Sequence, residues 1–222
     1  MNASSTLTAA ATPAKRSGIA LFWGMTALAL WGAAIAFGFL LLLGYKHRPQ
    51  DPGAPPAQCP NIPALRLSPQ PMTLLVFSHP HCPCTRATFR QLDYLLAAAS
   101  NRADLHIVIV DPTAAGEADA PMARAAAQLS SAKLHYDDGE LARSFGVKTS
   151  GHVLLYDESG SLRYSGGVTP YRGHEGPSEG SETLKRLLGG APGRLADAPV
   201  YGCPLFTPVC RGPICAAGGE GG

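Results

Sequence analysis

From Ile19 to Tyr45 the chain carries no charged side chain. A helix rises 1.5 Å per residue, so this run spans about 40 Å against roughly 30 Å of bilayer hydrocarbon. Trp23 and Tyr45 lie near its ends, where amphipathic rings favour the headgroup region. A secretory signal has an apolar core of about 7–15 residues, and this run is much longer. Ala34-Ile35-Ala36 resembles a small-residue cleavage site, yet cutting there would leave Phe37 to Leu43 as an apolar N-terminus. Residues 18–45 therefore read as an uncleaved single-pass transmembrane anchor. Lys15 and Arg16 precede it and Lys46 and Arg48 follow it, so flanking charge hardly sets an orientation.

All 16 acidic residues lie after residue 50, which makes the body neutral to acidic. A nucleic-acid binder would carry a basic face instead. No Walker loop, HExxH or GxSxG occurs, so nucleotide hydrolysis, zinc proteolysis and serine hydrolysis have no support. Residues 1–17, rich in Ala, Ser and Thr, read as disordered. Residues 46–71 hold Pro49, Pro52, Pro55, Pro56, Pro60, Pro63, Pro69 and Pro71, the composition of a semi-rigid spacer lifting the body off a bilayer. A body over 72–190 and a Gly- and Cys-containing tail over 191–222 complete the organisation.

The body alternates strands and helices. Thr73 to Phe77 is a continuous apolar run, as in a central strand buried on both faces. Thr85 to Ala99 follows as a helix with Phe89, Leu92, Leu95 and Leu96 on one side. Leu105 to Val110 is a second strand, Pro121 to Ser131 a helix opened by proline, and Glu140 to Phe145 a helical turn. His152 to Tyr156 and Ser161 to Ser165 form a hairpin, and Glu179 to Leu188 is the last helix. The order β-α-β-α-β-β-α gives an α/β fold, a mixed sheet with helices on both faces.

Ser78-His79-Pro80-His81-Cys82-Pro83-Cys84-Thr85 sits between the first strand and its helix. A helix N-terminus carries partial positive charge and lowers the pKa of a thiol placed there. Protonated His79 or His81 would add to this. Cys82 and Cys84 are close enough to bridge in a tight ring, and strain makes a disulfide more oxidising. The plainer reading, inert cysteines in a turn, fits a strand–Cys–helix junction poorly.

With this element order, Phe77 to Arg86 resembles the thioredoxin fold, and within it the membrane-anchored, outward-facing proteins of the TlpA/ResA type. HPHCPCT, TSGHVLLYD, SGGVTPYRGHEG and VYGCPL resemble more narrowly the proteins labelled RedB. The resemblance covers residues 60–205. It implies that Cys82 is the exposed nucleophile and Cys84 the resolving cysteine, with no organic cofactor. It also implies extracytoplasmic protein thiols or disulfides as partners, and a soluble domain on the periplasmic side. Two departures stand out: Cys-x-Cys replaces Cys-x-x-Cys, and Gly151 replaces the cis-proline, leaving the pair more open. Catalysis is expected from Cys82 and Cys84, assisted by His81. Topology brings Ser150, Gly151 and His152 to the same sheet edge, with Arg172, His174 and Glu175 on a rim loop. Ser150, Gly151, His152 and His174 are the expected substrate contacts. The plainer alternatives are a hydrogen-bonded structural role for His152 and a solvated loop for His174.

Cys59, Cys203, Cys210 and Cys215 can form two bridges by any of three pairings, and the three tail cysteines read as structural or free. A rival function is metal handling, because His79, His81, Cys82 and Cys84 combine imidazoles and thiolates suited to Cu(I) or Zn(II). A third is a tethered binding module without catalysis. Redox direction stays open: ring strain points to an oxidant, the resemblance to a reductant.

Overall fold

The computed structural model describes residues 16–62, 65, 72–98, 103–111, 120–129, 132–192 and 195–206. The chain separates into two compact units, Met1–Lys46 and His47–Gly222. The expectation of disorder over 1–17 lies almost wholly outside the described residues, as do Cys210 and Cys215.

The first unit is helix α1 (Arg16–Lys46). Its stretch Gly18–Lys46 has a mean hydropathy of 2.2 and buries none of its surface within the protein. With no polar side, such a helix is long and apolar enough to cross a membrane. It fits a single-pass anchor or a signal sequence.

The second unit is built on a six-stranded sheet in the order β3-β2-β1-β4-β5-β6. Strands β1 (Met72–Ser78), β2 (Ala103–Val110) and β3 (Ala132–Asp137) are parallel, while β4 (His152–Asp157) runs antiparallel to β1. β5 (Leu162–Gly166) is antiparallel to β4, and β6 (Ala196–Asp197) is parallel to β5. The unbroken apolar runs of β1 and β2 occupy the centre because helices cover both faces. On one face Phe89, Leu92 and Leu95 of α2 (Pro83–Ala98), Met122 of α3 (Pro121–Ala126) and Leu184 and Leu188 of α5 (Glu179–Leu188) pack against Leu74, Val76, Leu105 and Ile107. On the other, Ala142 of α4 (Glu140–Ser144), Phe145, Leu65 and Leu205 pack against Leu75, Phe77 and Val108. This is the thioredoxin-like architecture expected.

Three local expectations are corrected. The helix expected over Pro121–Ser131 ends at Ala126, and the strand β3 follows it. Its residues AKLHYD are only partly buried at the sheet edge, so they lack the apolar run that marks a central strand. The Pro-rich segment is not a free spacer where it is described. Residues 50–58 strap onto the body through bridges Gln50 to Val200, Gly53 to Val147 and Gln58 to Ser161. Proline has no N–H to leave unpaired, and its carbonyls remain good acceptors. The Pro56 carbonyl accepts from the Tyr156 hydroxyl at 3.1 Å, and the Pro52 carbonyl lies 3.0 Å from His152 Nδ1. Finally, the first residues of the expected tail belong to the body, through β6 and the buried Val200 and Leu205.

His152 is fully buried, with Nδ1 at the Pro52 carbonyl and Nε2 2.9 Å from Ser165 Oγ. The fitting tautomer donates from Nδ1 and accepts at Nε2, so the ring is held neutral. Burial pushes its pKa down to about 4, partly offset by the bond to Pro52. The unfolded chain therefore binds a proton near pH 6.5 that the folded chain refuses. Stability present above pH 6.5 is lost as pH falls toward 4, by up to about 3 kcal/mol. A His152→Gln variant is expected to flatten this loss; denaturant unfolding at pH 7 and pH 4.5 measures the difference.

Candidate functional site

The site forms where β1 ends. Cys82 N–H donates to the His79 carbonyl at 3.2 Å, closing a turn, and Pro83 opens α2 with Cys82 immediately before it. Proline at a first helical position suits the fixed φ of its ring and its missing N–H. Thr85 N–H donates back to the Cys82 carbonyl at 3.2 Å. Cys82 thus occupies the capping position of α2, with Cys84 in its first turn.

Exposure of the two sulfurs is the reverse of that expected. Cys82 is buried, at 0% exposure, and Cys84 is half-buried. The cover over Cys82 is polar. Around it lie the Cys84 thiol, the Thr85 hydroxyl and the N–H and thiol of Cys203, each of which favours its thiolate over its thiol. These donors outweigh the cost of burial and lower the Cys82 pKa to about 4, the Cys84 bond contributing most. The Cys84 pKa moves strongly upward, because a thiol donating to a neighbouring thiolate holds its own proton. Burial, and then the same neighbour, push Cys203 up to about 11. The three thiols share one negative charge centred on sulfur 82.

Ser150 lies behind these groups, fully buried. Its hydroxyl accepts from His79 N–H at 2.8 Å and lies 2.7 Å from Thr85 Oγ1. A chain of hydrogen bonds thus runs from the backbone of His79 through Ser150 to Thr85, beside the sulfur. Such chains polarise one another. The Ser150 N–H donates to the Cys203 carbonyl at 2.8 Å. Ser150 is therefore a buried positioning residue rather than a substrate contact.

Other expected residues divide clearly. Gly151 is buried with φ +83°, its N–H donating to the Phe77 carbonyl at 2.7 Å. It does not open the site. A side chain there would meet the Thr88 and Thr85 hydroxyls and the Tyr201 carbonyl, so the chain around residue 201 fills the space. His152 is the structural histidine described above and is withdrawn as a substrate contact. His174 lies on the rim, its Nδ1 2.9 Å from the Arg172 carbonyl and its ring 4.1 Å from that of Tyr171. Glu175 ties this loop to α2 through Arg90 at 2.7 Å. His81 is exposed; its N–H donates to His79 Nδ1 at 3.2 Å, and its ring lies 6.2 Å from that of His79. The donors that lower Cys82 are thiols, a hydroxyl and an amide, so the expected assistance from His81 is not what holds the charge.

Sequence reading did not place Cys203 at this site. Its position in a stretch without periodicity hides a contact made across the fold. Cys59, expected as a bridging partner, lies half-buried elsewhere, its N–H donating to the Gly160 carbonyl at 2.8 Å, and no bridge joins it to Cys203. Arg172 is almost buried, donates to the Gly202 carbonyl at 2.6 Å, and draws the pKa of both Cys84 and Cys203 downward by its charge. Among the described residues no group of three or more His, Cys, Asp or Glu is arranged to hold a metal ion. The set His79, His81, Cys82 and Cys84 is split, with sulfur 82 turned inward to Cys84, Thr85 and Cys203.

No family model matches the chain, and no curated protein does. Solved structures do. An uncharacterized conserved protein from Geobacillus kaustophilus aligns with TM-score 0.52 and 18% identity, covering 74% of this chain and 95% of its own. The hypothetical protein SMc02350 from Sinorhizobium meliloti 1021 aligns with TM-score 0.51 and 18% identity, covering 72% and 96%. A thioredoxin-like protein from Aeropyrum pernix aligns with TM-score 0.42 and 15% identity, covering 72% and 98%. At these identities the likeness is one of fold: the body of this chain shares the architecture of the first two structures.

Proposed function

We propose that the protein is a membrane-tethered thiol–disulfide oxidoreductase that exchanges disulfides with extracytoplasmic protein partners through Cys82 and Cys84. One observation carries this reading: a buried sulfur at the start of α2 with two further, partly exposed thiols beside it, whose pKa those neighbours lower. An inert structural cysteine needs no such neighbours.

Burial assigns the roles. The partly exposed sulfur of Cys84 faces the partner, and Cys82 is the sulfur behind it. In the oxidised protein a partner thiolate attacks Cys84 Sγ. The Cys82–Cys84 bond breaks, and Cys82 leaves as a thiolate already surrounded by donors. A low leaving-group pKa speeds this step. A second partner thiolate then attacks the partner sulfur of the mixed disulfide and expels Cys84. Cys84 takes up a proton and donates it in a hydrogen bond to Cys82. The partner loses two electrons and gains a disulfide; the protein gains the two electrons. A disulfide-bearing acceptor returns it to the oxidised form by the same steps in reverse.

Stabilising the Cys82 thiolate stabilises the reduced protein, which makes the couple oxidising. The outward orientation of the body follows from this chemistry, since the cytosol keeps thiols reduced. The reduction potential of the Cys82/Cys84 couple is expected at roughly −120 to −180 mV, measured by equilibration with glutathione buffers. A value near −270 mV, in the range of dedicated reductants, would overturn the oxidising direction. Cys82→Ser is expected to abolish disulfide transfer to a reduced protein substrate. Removing one donor to the thiolate is a smaller change. Thr85→Ala is expected to raise the Cys82 pKa by about one unit, equivalent to a potential lower by about 30 mV. Ser150→Ala should move the potential in the same direction, since it removes the group that orients the Thr85 hydroxyl.

A further inference from the structure

Cys203 reaches the site from a segment that the fold holds on both sides. Ser150 N–H donates to its carbonyl at 2.8 Å, and Leu205 N–H donates to the Lys148 carbonyl at 2.8 Å. Thr149 and Pro204 form an antiparallel bridge, and Leu205 is buried in the core. Arg172 donates to the carbonyl of Gly202, the residue just before Cys203. A Cβ on Gly202 would collide with the Ser150 carbonyl, so only glycine lets this segment come so close. The result brings Cys203 to the Ser150–Thr85 pair beside Cys82, near enough for the two thiols to shift each other's pKa.

Sulfur 82 therefore has two thiol neighbours, and both are partly exposed. They differ in the bond they can make. A Cys82–Cys84 bridge closes a small ring around Pro83, whose φ is locked. Disulfide geometry is specific, and departures from it make the bond more reducible. A Cys82–Cys203 bridge joins two separate segments and closes no such ring. Arg172 favours the ionised form of either neighbour.

Building on the exchange reaction proposed above, we propose that Cys203 is a third redox-active cysteine, whose thiolate attacks Cys82 Sγ of the Cys82–Cys84 disulfide. The Cys82–Cys203 bond forms, the Cys82–Cys84 bond breaks, and Cys84 leaves as a thiolate that takes the proton given up by Cys203. No electrons enter or leave, so no external oxidant is required for this step. The disulfide moves from the α2 turn to the C-terminal segment and back. Sulfur 82 is the fixed centre, and Cys84 and Cys203 are two alternative sulfurs at which a partner exchanges.

The test uses the full-length chain in detergent, oxidised with oxidised glutathione, alkylated with N-ethylmaleimide, digested, and sequenced by tandem mass spectrometry. In wild type the expected result is a mixture of Cys82–Cys84 and Cys82–Cys203 bridges. In Cys84→Ser the expected result is a Cys82–Cys203 bridge in most molecules, lost in Cys82→Ser. A wild-type chain bridged only between Cys82 and Cys84, with Cys203 fully alkylated, overturns the proposal. So does a Cys84→Ser chain carrying only glutathione adducts. Both results leave the exchange reaction itself standing. A wild-type chain in which Cys82 enters no disulfide at all overturns that reaction and this proposal together. Because the wild-type measurement stands alone, misfolding of a variant does not protect the idea.

Discussion

A thiolate removed from water loses its hydration and stays charged only if polar hydrogens replace the solvent. Everything at the edge of this sheet is arranged around that constraint. The groups that favour it come from two places in the chain: Cys84 and Thr85 from the first turn of α2, and Cys203 from a distant segment. Ser150, just ahead of β4, binds both places through its hydroxyl and its N–H. The fold brings the donors together, and the donors make the sulfur reactive.

The same arrangement decides what the site can do. A sulfur that is comfortable as an anion is a good leaving group and a stable product of reduction. In the proposed exchange reaction, its burial would place chemistry with a partner at the neighbouring sulfurs. Helix capping at Cys82 contributes favourable charge, but the named hydrogen bonds distinguish this sulfur from any cysteine at a helix start. The strap over residues 50–58 supports the site indirectly. It fixes Thr149, whose hydroxyl donates to the Asp51 carbonyl at 2.6 Å, and His152, on either side of Ser150 and Gly151.

Sequence reading recovers what local pattern encodes. The apolar runs of β1 and β2 and the amphipathic face of α2 place the Cys-Pro-Cys turn between strand and helix, although the helix starts at Pro83 rather than Thr85. Reading fails where long-range pairing decides. β3 is an edge strand whose Lys133 and His135 break the apolar signal. The prolines of the strap suit an extended segment, and nothing local says that this segment docks. Cys203 and Cys82 are far apart in sequence, and only the pairing of residues 203–205 with 148–150 joins them. The exposure of Cys82 and Cys84 departs from the sequence expectation for a related reason: exposure depends on what covers a residue, and the segment of Cys203 lies beside Cys82.

The central claim is that sulfur 82 is ionised at neutral pH because neighbouring groups donate to it. Ultraviolet thiolate absorbance of the reduced protein, taken as wild type minus Cys82→Ser across pH 3 to 9, measures this directly. The account predicts one thiolate already present at pH 6 and lost well below the unperturbed thiol pKa of about 8.5. A difference signal that rises only near that unperturbed value would contradict it.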